Sequence, residues 1–239
     1  MIPKYDLEKI KFATDSPTFD KAIGLYERGC VTQFSDQIDG FSALVIGSNP
    51  YHVFVSAKYY DEGSCECYLG QEDILCKHMV VVAIYALRKG EALSVEDKRQ
   101  GNQIIFSGSK GNLSNDELAK FKSNLSIALR YIKGYRGPSR IWFSYQNSLE
   151  EGCNRLSVLL STLPVSRQTA KLVVNLLLRL DKKLSMSGVD DSNGTVGGFM
   201  EEAVKLLIEF AKIDPESKKE FETLKGRKTC FGWEEPLTT

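Results

Sequence analysis

Four potential metal ligands lie within fourteen residues of one another in the first third of the chain. Cys65-x-Cys67 is followed, after eight intervening residues, by Cys76-x-His78. Thiolates and imidazoles are ligands that Zn²⁺ prefers, and four of them complete its tetrahedral coordination. The spacing therefore predicts that these four residues bind one Zn²⁺, which constrains the fold to bring them together.

The positions of the ligands also suit local structure. Side chains alternate along a strand, so Cys65 and Cys67 are expected on one face and Glu66 on the other. An apolar run that begins directly after Cys76-x-His78 predicts a helix from this point. The free backbone N–H groups and positive dipole end of that helix favour a thiolate at Cys76.

The alternative to a metal site is a set of buried free cysteines beside a core histidine, since cysteine is often buried as a small hydrophobe. The clustering favours metal, because His52 is the only other histidine in the chain. Cys30, Cys153 and Cys230 stand alone in the sequence and are predicted to be unpaired thiols, although a pairing in space stays open.

The Cys-x-Cys and Cys-x-His pairs, with the Cys-Lys-His step, resemble the SWIM zinc finger. The resemblance runs over about residues 19–90, roughly a third of the chain. It implies zinc bound by Cys65, Cys67, Cys76 and His78 in a module that binds nucleic acid or protein. Helical extensions follow the finger in some bacterial SWIM proteins.

The pattern of the first part predicts a small antiparallel β-meander with helices. We expect a helix over 17–29, strands over 30–37, 41–47 and 51–57, and a helix over 76–89. Asp39-Gly40 is a hairpin signal between the first two strands, and zinc is expected to tie the meander to the last helix.

The periodicity then becomes helical. Helices are predicted over 114–133, 148–163, 166–184, 199–212 and 214–224, with capping boxes at Ser114/Glu117 and Ser148/Glu151, and a short strand is possible at 104–106. The predicted fold class is therefore α+β with a structural zinc site, followed by an all-α bundle or short superhelical domain. The predicted domains are 1–95 and 113–239, joined by a linker over 96–112.

The charge balance limits how the chain can bind nucleic acid. Lys+Arg and Asp+Glu both number 31, so a nucleic-acid site must be a local patch. The amino terminus has mixed charge and no signal-peptide pattern, and no apolar run reaches the roughly 18 residues of a membrane span. We therefore expect a cytoplasmic protein with no membrane partner, whose thiols stay available for metal.

Residues 130–145 are rich in basic and aromatic side chains and contain no acid. Cations can hold phosphates while rings stack on bases. The competing interpretation, which we favour, is a loop between two helices whose arginines cap helix C-termini and whose rings, among them Trp142, Phe143 and Tyr145, pack in the core. The candidate nucleic-acid residues, which include two lysines near the metal ligands, are Lys58, Lys77, Arg130, Lys133, Tyr135, Arg136 and Arg140.

Residues 189–201 partly match a calcium-binding loop. Alignment on Gly194 puts Val189 and Met200 where that loop needs carboxylates. We therefore predict a turn closed or capped by Asp190, Asp191 and Asn193.

Nothing in the sequence indicates catalysis. Four protein ligands leave zinc no open position, and no phosphate loop, nucleophile elbow or small-molecule site is evident. The first hypothesis is a protein that binds nucleic acid, DNA or RNA, through the zinc finger, chiefly because the SWIM resemblance implies it. The helical domain would then position the finger or dock a second partner. The alternative is a protein-interaction subunit of a larger assembly, such as one that works beside an ATPase, and a less favoured one is an enzyme with its site in the helical half.

Overall fold

The computed structural model describes residues 1–101, 103–139 and 142–239. The chain divides into two compact units, Met1–Gln100 and Gly101–Thr239. The predicted α+β fold class, with an antiparallel sheet and helices followed by an all-helical region, is confirmed. The predicted domain limits and linker stay predictions.

The first unit combines a four-stranded sheet with helices. Its elements are α1 (Leu7–Ala13), α2 (Ser16–Glu27), β1 (Val31–Asp36), β2 (Gly40–Ile46), β3 (Pro50–Ser56), β4 (Gly63–Cys65), α3 (Tyr68–Gln71), α4 (Lys77–Arg88) and α5 (Val95–Lys98). The strands pair in the order β1-β2-β3-β4, each antiparallel to the next. The strand expected at Cys65 is present as β4, whereas α1, α3 and α5 were not predicted, because each is too short to show a periodic pattern.

Helix α2 forms where its capping residues predict. The Asp15 carboxylate accepts a hydrogen bond from the Thr18 N–H at 2.9 Å, and Pro17 occupies the first turn. Gly29 follows the helix with a φ of 66°, a backbone conformation that glycine adopts without strain. These signals place the helix that packs against α4.

Helix α4 is the centre of the first core. Its residues from His78 to Ile84 are all buried, and it contacts α1, α2 and the sheet. A helix that is apolar all round must be covered on every side. This placement holds the first turn of α4, which carries His78, against the sheet.

The second unit is helical. Its elements are α6 (Asn115–Ala128), α7 (Trp142–Ser161), α8 (Arg167–Met186), α9 (Thr195–Ile213) and α10 (Glu235–Thr238), with 3₁₀ helices at Pro215–Leu224 and Cys230–Gly232. Leucines of α7 and α8 form its core with Phe210 of α9. Segment 104–107 forms no strand, and the Ile105 N–H instead donates to the Ser161 hydroxyl at 2.8 Å.

One of the two predicted capping boxes of the second unit is correct. Ser114 and Glu117 exchange the expected hydrogen bonds at the start of α6. The box at Ser148 and Glu151 is wrong, because both residues lie inside α7. Ser148 donates to the Tyr131 carbonyl at 3.0 Å, and buried Glu151 pairs with Arg155 one turn later at 2.9 Å.

Candidate metal centre

The four residues of the Cys-x-Cys and Cys-x-His pairs lie together in the first unit. Their ligand atoms are within 4.8 Å of one another, and all four side chains are buried: Cys65, Cys67, Cys76 and His78. Residues that lie thirteen positions apart in the sequence are thus gathered in one place, as predicted. The cluster can hold a metal ion.

Three elements bring the ligands together. Strand β4 ends at Cys65, and Cys67 is the N-cap of α3. Cys76 is the N-cap of α4, and His78 lies in its first turn. Cys65 and Cys67 are both buried while Glu66 between them is exposed, as predicted from the alternation of side chains.

The distances suit a tetrahedral ion. The His78 Nδ1 atom lies 3.6 Å from Sγ of Cys65 and 4.0 Å from Sγ of Cys76. Donors at zinc's usual bond lengths, about 2.3 Å for sulfur and about 2.0–2.1 Å for nitrogen, lie about 3.6–3.8 Å from one another. The donor set and its spacing therefore fit Zn²⁺, with Nδ1 as the nitrogen ligand.

The His78 ring packs against an aromatic ring of strand β3. The Tyr51 ring packs against it with centroids 4.7 Å apart. A Cβ atom built at Gly47 would lie 3.6 Å from Nε2, so a small side chain there would fit in ordinary van der Waals contact with the ring. This packing orients Nδ1 toward the thiols, which is the role of surrounding contacts in metal sites.

Gly70 is a site residue that the sequence analysis missed. Its N–H donates to the Cys67 Sγ atom at 3.4 Å. A Cβ at this position would lie 2.3 Å from the Cys65 carbonyl oxygen, so only glycine fits. A glycine three positions after the Cys-x-Cys pair was the available signal.

The three thiols interact closely with one another. Contact with the Cys65 thiol lowers the pKa of Cys76, and the nearby His78 ring and Met79 N–H lower it further. The same contact with Cys76, together with burial, raises the pKa of Cys65. A bound cation would remove this opposition between the pKa values of Cys65 and Cys76, because it stabilises several thiolates at once.

Lys58 and Lys77 lie in different elements of the first unit. Lys58 is exposed in the turn after β3, where its Nζ lies 4.8 Å from the centroid of the Tyr59 ring. Lys77 is half-buried and is the first residue of α4. Their role in nucleic-acid binding stays a prediction.

The other candidate nucleic-acid residues belong to the second unit. Arg130, Lys133 and Arg136 are exposed, and none of them forms an ion pair within the described ranges. Tyr135 is half-buried; its ring packs against Tyr145 and its hydroxyl donates to the Pro138 carbonyl at 2.6 Å. Arg140 lies outside the described residues.

The aromatic residues of this segment divide between core and surface. Tyr145 is buried as expected, and Trp142 is half-buried with its indole N–H donating to Asp190 at 3.0 Å. The expectation that Phe143 packs in the core is wrong, because its side chain is 75% exposed. As the second residue of α7 it lies beyond the buried helix face.

The segment that partly matches a calcium loop is closed by its own carboxylates. Asp191 accepts hydrogen bonds from the N–H groups of Val196 and Gly197, both at 2.8 Å, at the start of α9. Asp190 accepts from the Ser192 hydroxyl at 2.7 Å. Capping by Asp191 and turn closure by Asp190 are confirmed, while a role for Asn193 stays a prediction.

Comparisons with protein families, with curated proteins and with solved structures find no match. All six cysteines lie in the described part of the chain and none forms a disulfide, as predicted. Among the helices of the described ranges, none is both long and apolar enough to cross a membrane.

Proposed function

We propose that this chain is a zinc-dependent binding protein built on a SWIM-type finger. The observation that carries the proposal is the convergence of three thiols and His78 Nδ1 in one buried cluster. Four protein donors leave no position for water, which supports a structural ion and a protein that is not an enzyme. In this role the metal joins β4 and α3 to α4.

Elemental analysis of protein purified without chelator tests this proposal. The expected result is about one zinc per chain, in line with a four-ligand structural site. A Cys30→Ser variant is the matched control, since Cys30 lies outside the cluster. Zinc content far below one, or unchanged when Cys67 becomes Ser, would overturn the proposal.

Nucleic acid, with DNA named first, is the partner class that we propose for the second unit. The exposed cations Arg130, Lys133 and Arg136 support it, because they have no acidic partner in the described structure and are free to meet phosphates. Three phosphate contacts on duplex DNA give a slope of log K against log salt of about −2.7.

The test is a fluorescence-anisotropy titration of duplex and single-stranded oligonucleotides at several salt concentrations. Lys133→Glu with Arg136→Glu is expected to abolish most binding, while Lys171→Glu, an exposed lysine on α8, has little effect. Equal affinities of the two variants, or no binding at low salt, would contradict this partner.

The second candidate is a protein-interaction subunit of a larger assembly. It is supported by the balanced charge of the chain and by acidic residues around the metal ligands, where Glu66, Glu72 and Asp73 are all exposed. A basic surface is not required for such a role. The two candidates need not compete, because these exposed carboxylates lie in the first unit and the exposed cations in the second.

A further inference from the structure

The segment between the two ligand pairs, residues 68–75, exposes three large apolar side chains. We name this segment the metal loop. Tyr68 is 78% exposed, Leu69 40% and Ile74 51%. The Ile74 N–H donates to the Leu69 carbonyl at 2.9 Å, so the two ends of the metal loop lie side by side. Single exposed apolar residues are common, whereas a group of them marks an interaction surface.

Hydrogen bonds to the two residues that precede it fix the conformation of the metal loop. The Gly70 N–H donates to Cys67 Sγ, and the Gln71 side-chain amide donates to the Glu66 carbonyl at 2.9 Å. The Gln71 N–H donates to the Cys67 carbonyl at 3.0 Å. A preformed surface loses little conformational entropy when a partner binds.

The charges around the metal loop have one dominant sign. Residues 61–77 contain five exposed carboxylates and a single basic residue, Lys77. Three thiolates and a neutral imidazole around Zn²⁺ add one further negative charge. A groove of about 570 Å³ beside the loop is lined by Glu66, Gln71 and His52 and by no lysine or arginine. This surface repels phosphate and attracts cations.

We propose that Tyr68, Leu69 and Ile74 form a docking surface for a basic amphipathic segment of a partner protein. Apolar side chains of the partner cover the three residues, and its Lys or Arg side chains meet the surrounding carboxylates. The inference rests on the proposed function in one respect, since the metal holds the loop. It adds a protein partner at the first unit, distinct from the basic residues of the second.

The test uses the zinc-loaded full chain and a fluorescein-labelled amphipathic peptide of leucine and lysine. Anisotropy is expected to show saturable binding, and Tyr68→Ser with Ile74→Ser is expected to weaken it by about tenfold or more, as loss of central apolar contacts does. Ile38→Ser is the matched control, because Ile38 is 91% exposed in the β1–β2 turn outside the metal loop.

A second set of measurements tests the charge of the surface. Glu72→Gln with Asp73→Asn is expected to weaken peptide binding and to reduce its salt dependence. Asparagine suits position 73, where φ is 55°. A peptide in which glutamate replaces every lysine is expected not to bind.

Zinc content separates failure of this inference from failure of the metal centre. With about one zinc per chain in every variant, equal peptide affinity of the serine double variant and the Ile38→Ser control would overturn the proposal. If the double variant loses zinc, Tyr68→Ser alone supplies the comparison, since its side chain is the most exposed of the three.

Two other occupants of the surface are further outcomes. A single-stranded oligonucleotide whose binding is lost in Tyr68→Ser/Ile74→Ser would assign the surface to nucleic acid and overturn the proposal. A dimer, seen by sedimentation, that this double variant dissociates would assign the surface to a second copy of the chain and overturn it equally.

Discussion

The Cys65 Sγ atom lies 3.6 Å from Nδ1 of His78. This contact joins the last residue of β4 to the first turn of α4. The sheet and the central helix of the first core thus meet at the proposed metal centre. An ion bound there links elements that otherwise depend on packing alone. The stability of the first unit is therefore expected to depend on metal.

Removing the metal is expected to unfold the first unit and leave the second folded. Structural zinc contributes about 10–16 kcal/mol, which is comparable to or larger than the roughly 5–15 kcal/mol that keeps a whole domain folded. The second unit has its own core. In Cys76→Ser, calorimetry is expected to show one transition lost or lowered and one retained, whereas Cys30→Ser keeps both. A single transition that the Cys76→Ser substitution does not change would contradict a structural role.

Two glycines are predicted to respond oppositely to alanine. At Gly70 a Cβ meets the Cys65 carbonyl at 2.3 Å, so Gly70→Ala is expected to lower zinc affinity and stability. At Gly198, exposed in the first turn of α9, no atom lies within 4 Å of a Cβ, and Gly198→Ala is expected to add about 0.4–1 kcal/mol. Urea unfolding with zinc analysis measures both, and equal effects would contradict the packing described at Gly70.

Asp191 is predicted to contribute helix-capping energy and no calcium binding. Its carboxylate holds the Val196 and Gly197 N–H groups, so Asp191→Ala is expected to cost about 0.5–2 kcal/mol, measured by urea unfolding. Glu201→Ala, at an exposed position further along α9, serves as the control. Calorimetry is expected to detect no calcium binding, and saturable binding lost in Asp191→Ala would contradict this assignment.

Cys153 is predicted to be unreactive in the folded protein. It is buried in the second core, and this burial raises the pKa of its thiol. The folded protein therefore keeps the Cys153 thiol proton as pH rises past the ordinary pKa of a thiol. The unfolded chain loses that proton there, so the free energy of unfolding begins to fall. Mass spectrometry after alkylation at neutral pH is expected to find Cys30 modified and Cys153 intact. Comparable modification of both thiols would contradict the described burial.

The candidate metal cluster and the main elements could be predicted because their signals are local. Ligand spacing identified Cys65 and His78, and capping residues placed the start of α2. The Ser148/Glu151 box was misassigned, since the same residue types at that spacing also occur inside a helix, where Glu151 pairs with Arg155. Only tertiary contacts distinguish the two cases.

Other features depend on contacts between distant residues and carried no signal in the sequence. The His78 ring of α4 packs against Tyr51 of β3, which is distant from it in the sequence. Aromatic character alone predicted burial for Phe143, but helix orientation leaves it exposed. The charge of the metal loop was readable from the sequence, whereas the exposure of its apolar residues was not.

The most direct test of the central claim is the zinc content of the purified chain and of a His78→Ala variant, determined by elemental analysis after dialysis against metal-free buffer. The account predicts about one zinc per chain in the unaltered protein and a large loss in the variant, because removing one of four ligands weakens the site. Zinc far below one per chain in the unaltered protein, or retained in full by the variant, would contradict the account.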